Sequence, residues 1–232
     1  MTMMGSVTAA AAWLAAFSLI TVQDAPIVQP GAPGEAATRL TPEASVEMSD
    51  AGYTEADIAF MQDMIVHHGQ AVEMVALIEA RTENEAVRAM GARISLSQSS
   101  EIELMQNWLR ARGQSTESKL LKSGGHGDHD MGDHKMDHGD KDPMDMPLMH
   151  GMLSPRQMKT LAAADGLAFD RLFLSGMIQH HQGALDMVDM LLSDPSNGQD
   201  ALLSEFLSSI VGDQSAEILR MQTLLSALGS PS

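Results

Sequence analysis

The chain has 232 residues, 44% of them hydrophobic, enough for one good-sized domain or two small ones around a core. With 31 acidic residues against 14 basic and a formal charge of −17, its field attracts cations and makes nucleic acid and anionic membrane surfaces poor partners. The absence of cysteine excludes disulfides, thiolate metal sites and cysteine nucleophiles, and only eight aromatic residues leave packing to aliphatic, Ala and Met side chains, which suit helices better than sheets.

Residues 1–23 carry no charged side chain, and 7–22 form an apolar run that resembles the core of a signal peptide. The run is shorter than the ~20 residues of a comfortable membrane span, so export with removal is expected, with an uncleaved anchor as the other reading. Any membrane contact is then confined to this segment. Residues 24–50, rich in Pro, Gly, Ala and Thr, read as a poorly ordered linker.

The region 51–113 predicts a first helical hairpin. Thr54 can cap a helix of about 55–80 with Asp57 in its first turn. Thr82-Glu83-Asn84-Glu85 reads as a capping box opening a second helix, which stops near Gly113. After the intervening tract, 154–232 predicts a second hairpin. Ser154-Pro155-Arg156-Gln157 starts a short helix, Asp165-Gly166 interrupts it, a long helix runs to about Ser193, and a last one spans roughly 200–228.

The two hairpins are copies of each other. Met64-Ile65-Val66-His67-His68-Gly69-Gln70-Ala71-Val72-Glu73-Met74 recurs as Met177-Ile178-Gln179-His180-His181-Gln182-Gly183-Ala184-Leu185-Asp186-Met187, at an offset of 113. Gln98, Glu101, Ile102 and Met105 recur as Gln214, Glu217, Ile218 and Met221, at an offset of 116. Two repeated antiparallel hairpins imply an all-α protein, a ferritin-like four-helix bundle.

The segment 114–153 separates the copies. Within it, 124–152 holds five His, six Met and seven Asp with several Gly, too few core-forming residues to offset ordering, and is expected to lack structure without a ligand. Its histidines are His126, His129, His134, His138 and His150. Its methionines are Met131, Met136, Met144, Met146, Met149 and Met152.

All nine histidines lie in this tract or in the two pairs, and the chain carries 20 methionines. Thioether is a poor solubiliser and a good Cu(I) ligand, while imidazole serves Cu(I), Cu(II), Zn and Ni. Copper, with Cu(I) preferred and its relative silver second, is therefore the expected cofactor, on the tract residues and on the first helix of each copy. There Met64, His67, His68 and Met74 share a face, as do Met177, His180, His181 and Met187. Consecutive histidines diverge by about 100°, so one of each pair is expected to point inward more fully. Each copy's partner helix carries one stripe, Gln98, Glu101 and Met105 or Gln214, Glu217 and Met221, whose carboxylate can orient an imidazole through its second nitrogen.

The pattern Asp57, Phe60, Met64, Ile65, His67, His68, Ala71, Met74, then Gln98, Glu101, Ile102, with its counterpart Asp170, Phe173, Met177, Ile178, His180, His181, Ala184, Met187, then Gln214, Glu217, Ile218, resembles the CopM-type family of exported, ferritin-like bacterial proteins, catalogued as a domain of unknown function. The resemblance covers roughly 55–110 and 155–228. It implies a periplasmic copper-binding role. The expected use is copper sequestration, tolerance or delivery, with metal ions and other copper-handling proteins as partners and without enzymatic activity. Two other readings stand beside it. A ferritin-like dinuclear oxidase or peroxidase wants Glu-x-x-His on two helices, which does not occur here. A metal-independent helical adaptor would use a Met-rich surface to bind another protein.

Overall fold

A computed structural model describes residues 27–29, 38–40, 52–122 and 142–229. The chain divides into two units, Met1–Met48 and Ser49–Ser232. The leader at 1–23 lies outside the described residues. The stretch read as a poorly ordered linker holds a short antiparallel pair, β1 (Ile27–Gln29) and β2 (Thr38–Leu40), with Ile27 opposite Leu40 and Gln29 opposite Thr38.

In the second unit the described residues form only helices and turns. The helices are α1 (Glu55–Ala76), α2 (Ile78–Arg81), α3 (Glu85–Ala111), α4 (Lys119–Lys122), α5 (Pro155–Ala163), α6 (Gly166–Leu192) and α7 (Ala201–Gly229), with a 3₁₀ turn at Pro143–Asp145. Local chemistry sets most of their ends. Thr54 Oγ1 accepts from the Asp57 amide while Asp57 Oδ2 accepts from the Thr54 amide, closing a capping box, and Ser154 with Gln157 forms another. Gly113, at φ +68, turns the chain out of α3.

Two expected limits are corrected. The helix read as 55–80 breaks at Leu77 into α1 and α2. The cap of α3 is Asn84 rather than Thr82, because the helix begins at Glu85 and it is the Asn84 side chain that meets the free amides of the first turn. Asn84 Oδ1 accepts from the Ala86 and Val87 amides, and the Thr82 hydroxyl accepts from the Asn84 amide.

Four long helices bury their apolar faces in two groups. One joins Phe60 and Met64 of α1 to Met105 and Leu109 of α3, Val188 and Leu191 of α6, and Phe206 and Ile210 of α7. The other joins Ala71 and Met74 of α1 to Val87 and Ile94 of α3, Phe173 and Met177 of α6, and Ile218 and Met221 of α7. The beginning of α1 thus meets the ends of α3 and α6 and the beginning of α7, so the two long helices of each hairpin run antiparallel, as do α1 and α6, while α3 and α6 run parallel. Each hairpin's opening aspartate ties it to the other's turn. Asp57 Oδ1 accepts from the Gly198 amide at 2.9 Å, and Asp170 Oδ2 accepts from Asn84 Nδ2 at 3.0 Å.

The tract between the copies is corrected at both its ends, which are ordered. Beyond α4, residues 142–153 pack as a strap on the bundle. Arg156 pairs with Asp142 and Asp145, while Gln70 accepts from the Leu153 amide at 2.7 Å and donates to its carbonyl at 3.0 Å. Composition pointed to a segment unable to build its own core, but here the bundle supplies the partners.

Candidate metal centre

Between the two apolar groups lies a polar layer assembled from the four long helices. His67 and His68 come from α1, Gln98 and Glu101 from α3, His180 and His181 from α6, and Gln214 and Glu217 from α7. The Met-Ile-x-His-His segment puts Met64 in one apolar group and Ala71 in the other, with the histidines one turn from each. All four imidazoles have 0% exposure. The expectation that one histidine of each pair points inward more fully is therefore corrected: α1 and α6 each contact both a hairpin partner and each other, so a 100° divergence still leaves both rings inside.

The rings form a row. Centroids are 6.3 Å apart for His67 and His68, 3.9 Å for His67 and His180, and 6.2 Å for His180 and His181. Each Nε2 meets an oxygen that can only accept. His68 faces Glu101 Oε2 at 2.5 Å and His181 faces Glu217 Oε2 at 2.7 Å. His180 faces the His67 carbonyl at 2.7 Å, and His67 faces the His150 carbonyl at 3.2 Å. A carbonyl or carboxylate oxygen requires the proton on Nε2, so each of the four rings is held with Nε2–H donating.

None of the four Nδ1 atoms has a hydrogen-bond partner in the protein, and Gln98 Oε1 and both polar atoms of the Gln214 amide are also unpartnered. Each such buried group costs on the order of 1–3 kcal/mol. Burial, and next the His68 ring, pushes His67 from 6.5 down to about 3. Burial, and next His67, holds His180 well below 6.5. Both are neutral near pH 7, the form in which imidazole binds metals.

Among the described residues no group of three or more His, Asp or Glu side chains is arranged as a metal cage. The donors that fit a metal here are the four buried, unpartnered Nδ1 atoms, with soft sulfur in the apolar groups on either side of the layer. Met64, Met74, Met105, Met177 and Met221 all have 0% exposure. Met187, expected to match Met74, is only partly buried. Met144 is exposed, Met146 and Met149 are half-buried, His150 is exposed and Met152 is buried, all on the strap. His126, His129, Met131, His134, Met136 and His138 lie outside the described residues.

The residues missed by sequence reading are those that hold the strap. Gln179 Nε2 donates to the Gly151 and Met152 carbonyls at 3.3 and 3.1 Å, and His150 Nδ1 lies 3.0 Å from Asp186 Oδ2. Gln70, Gln179 and Gly183 occupy positions where the two copies differ, a signal present in the repeat alignment.

Fold and layer together define a four-helix bundle protein with a buried imidazole core. The chain belongs to the family described as domain of unknown function DUF305, which matches residues 57–225. It is similar to the crystal structure of a presumed secreted DUF305 protein from Streptomyces coelicolor, with 27% identity and a TM-score of 0.56 over 76% of this chain and 96% of that one. It is likewise similar to a DUF305 fragment from Deinococcus radiodurans, with 27% identity and a TM-score of 0.57 over 75% of this chain and 98% of that one. No curated protein matches the chain. Similarity to a secreted protein supports export, and among the described residues no helix is long and apolar enough to cross a membrane.

Proposed function

We propose that this is a periplasmic copper-binding protein of the CopM type, a binder rather than an enzyme, acting in copper sequestration, tolerance or delivery. It takes Cu(I), or silver, on the buried imidazoles of the polar layer and the thioethers of the apolar groups that flank it. The observation that carries this reading is the set of four buried Nδ1 atoms without a partner, each on a ring whose opposite nitrogen faces an acceptor. A hydrogen-bond network that existed only for stability would give those Nδ1 atoms partners. Neutral imidazole beside thioether, without thiolate, is a soft donor set suited to Cu(I). Glu101 and Glu217 increase the donor strength of His68 and His181 through Nε2, the usual outer role of carboxylates. That engagement also weighs against a dinuclear oxidase, in which such carboxylates would face the metals. The test is anaerobic competition of the full chain against a calibrated Cu(I) chelator, with Zn in parallel. Tight Cu(I) binding in preference to Zn is expected; copper left wholly with a weak chelator refutes the proposal.

A further inference from the structure

The two copies place equivalent histidines in unequal surroundings. The Nε2 of His180 is held inside the bundle by the His67 carbonyl, whereas that of His67 is held by His150, a strap residue more than eighty positions away in sequence. The strap is seated by an unusual device. Gly151, at φ +78, lies so close to Gly183 of α6 that a Cβ on Gly183 would meet Gly151 Cα at 2.4 Å and the His150 oxygen at 2.4 Å. Both contacts are backbone, which cannot swing aside. Across the seam, Gln70 of α1 clasps both polar groups of Leu153, and Gln179 of α6 donates to the strap carbonyls.

These holding positions are where the copies diverge. Gln70 stands opposite Gly183 in the repeat alignment, Val66 opposite Gln179, and Glu73 opposite Asp186, the partner of His150. The changes give one copy a long amide that grips the strap and the other a glycine that admits it.

We propose that the strap 150–153 is a detachable positioning cover for the first copy's imidazole: docked, it holds the His67 proton on Nε2 and the Nδ1 lone pair inward, and undocked, it opens His67 to exchange. His68, His180 and His181 do not depend on it, since their partners come from the bundle. The docking half of this inference stands on geometry alone, and the half concerning metal release rests on the copper reading above.

The test uses the full chain, metal-free and ¹⁵N-labelled, with the four imidazole Nε2–H signals followed by NMR for protection from exchange. Gly183→Ala adds a Cβ where the strap backbone sits, while alanine favours the helix that carries it. Gly212→Ala, in α7 with nothing within 4 Å of its Cβ, is the control. Gln70→Ala adds no volume and removes the clasp. The expected result is loss of protection at His67 alone in both strap variants, with new protease cleavage within 149–153 and no change in the control. Protection of His67 in both variants, or loss of all four signals in Gln70→Ala, overturns the proposal. With Cu(I) bound, transfer to bicinchoninate should quicken about 10-fold in the strap variants. An unchanged transfer rate alongside a lost His67 signal overturns the release half, whereas a wild type that binds no Cu(I) refutes the copper reading and leaves the docking result standing.

Discussion

Acidifying the metal-free protein from pH 7 to pH 5 should remove about 2 kcal/mol of stability through His67 alone. Its native pKa is about 3 and its ordinary value 6.5. Because the native value is the lower one, the unfolded chain binds the extra proton, and stability present above pH 6.5 is lost as pH falls toward 3. At pH 5 the unfolded state lies 1.5 pH units below its pKa while the native ring stays neutral, which at about 1.4 kcal/mol per unit gives about 2 kcal/mol. His180 is shifted in the same direction by the same cause and adds to the loss. The assay is urea unfolding at pH 7, 6 and 5 with a chelator present, comparing wild type with His67→Gln, whose amide can still donate to the His150 carbonyl. The stability advantage of wild type over the variant should shrink by about 2 kcal/mol between pH 7 and 5. Parallel curves would show that His67 is not buried neutral, and the reasoning from desolvation would fail.

Other consequences follow from the same contacts. Replacing 123–141 by a Gly/Ser linker of equal length should lower copper stoichiometry while leaving helical circular dichroism and Tm nearly unchanged; collapse of the bundle would show that these residues are structural. Changing Glu101 and Glu217 together to Gln should weaken Cu(I) binding by about 10–100-fold, read by chelator competition, with the helical signal retained. Ser154→Ala removes the hydroxyl that accepts from the Gln157 amide at 3.2 Å and should cost about 1 kcal/mol in urea unfolding.

The bundle was legible because a repeat with helical spacing admits few arrangements. Met64, His67 and Ala71 share a helical face, Met177, His180 and Ala184 repeat it, and two hairpins can bury such faces only against each other. Glu101 and Glu217 were legible as partners of imidazole because the stripe of Gln, Glu and Met on each partner helix recurs in both copies, one helix away from the histidine pairs. Depth was not legible: a helical wheel assigns one inward direction, whereas α1 and α6 have two neighbours each, so both members of each histidine pair are enclosed. The strap escaped composition because its order comes from outside itself, from Gln70, Gln179 and the space at Gly183, and a window over 142–153 contains none of these. The break at Leu77 and the shift of the α3 cap to Asn84 are changes of one or two residues at helix ends, which residue preference alone does not specify.

The most direct measurement is anaerobic Cu(I) competition on the protein carrying the 123–141 replacement, before and after His67, His68, His180 and His181 are all changed to Gln. The four-imidazole layer predicts that tight Cu(I) survives loss of the tract and disappears with the four histidines while circular dichroism stays helical. Tight binding that persists without the histidines, accompanied by a changed Tm, would contradict the account and make the layer a set of core polar groups.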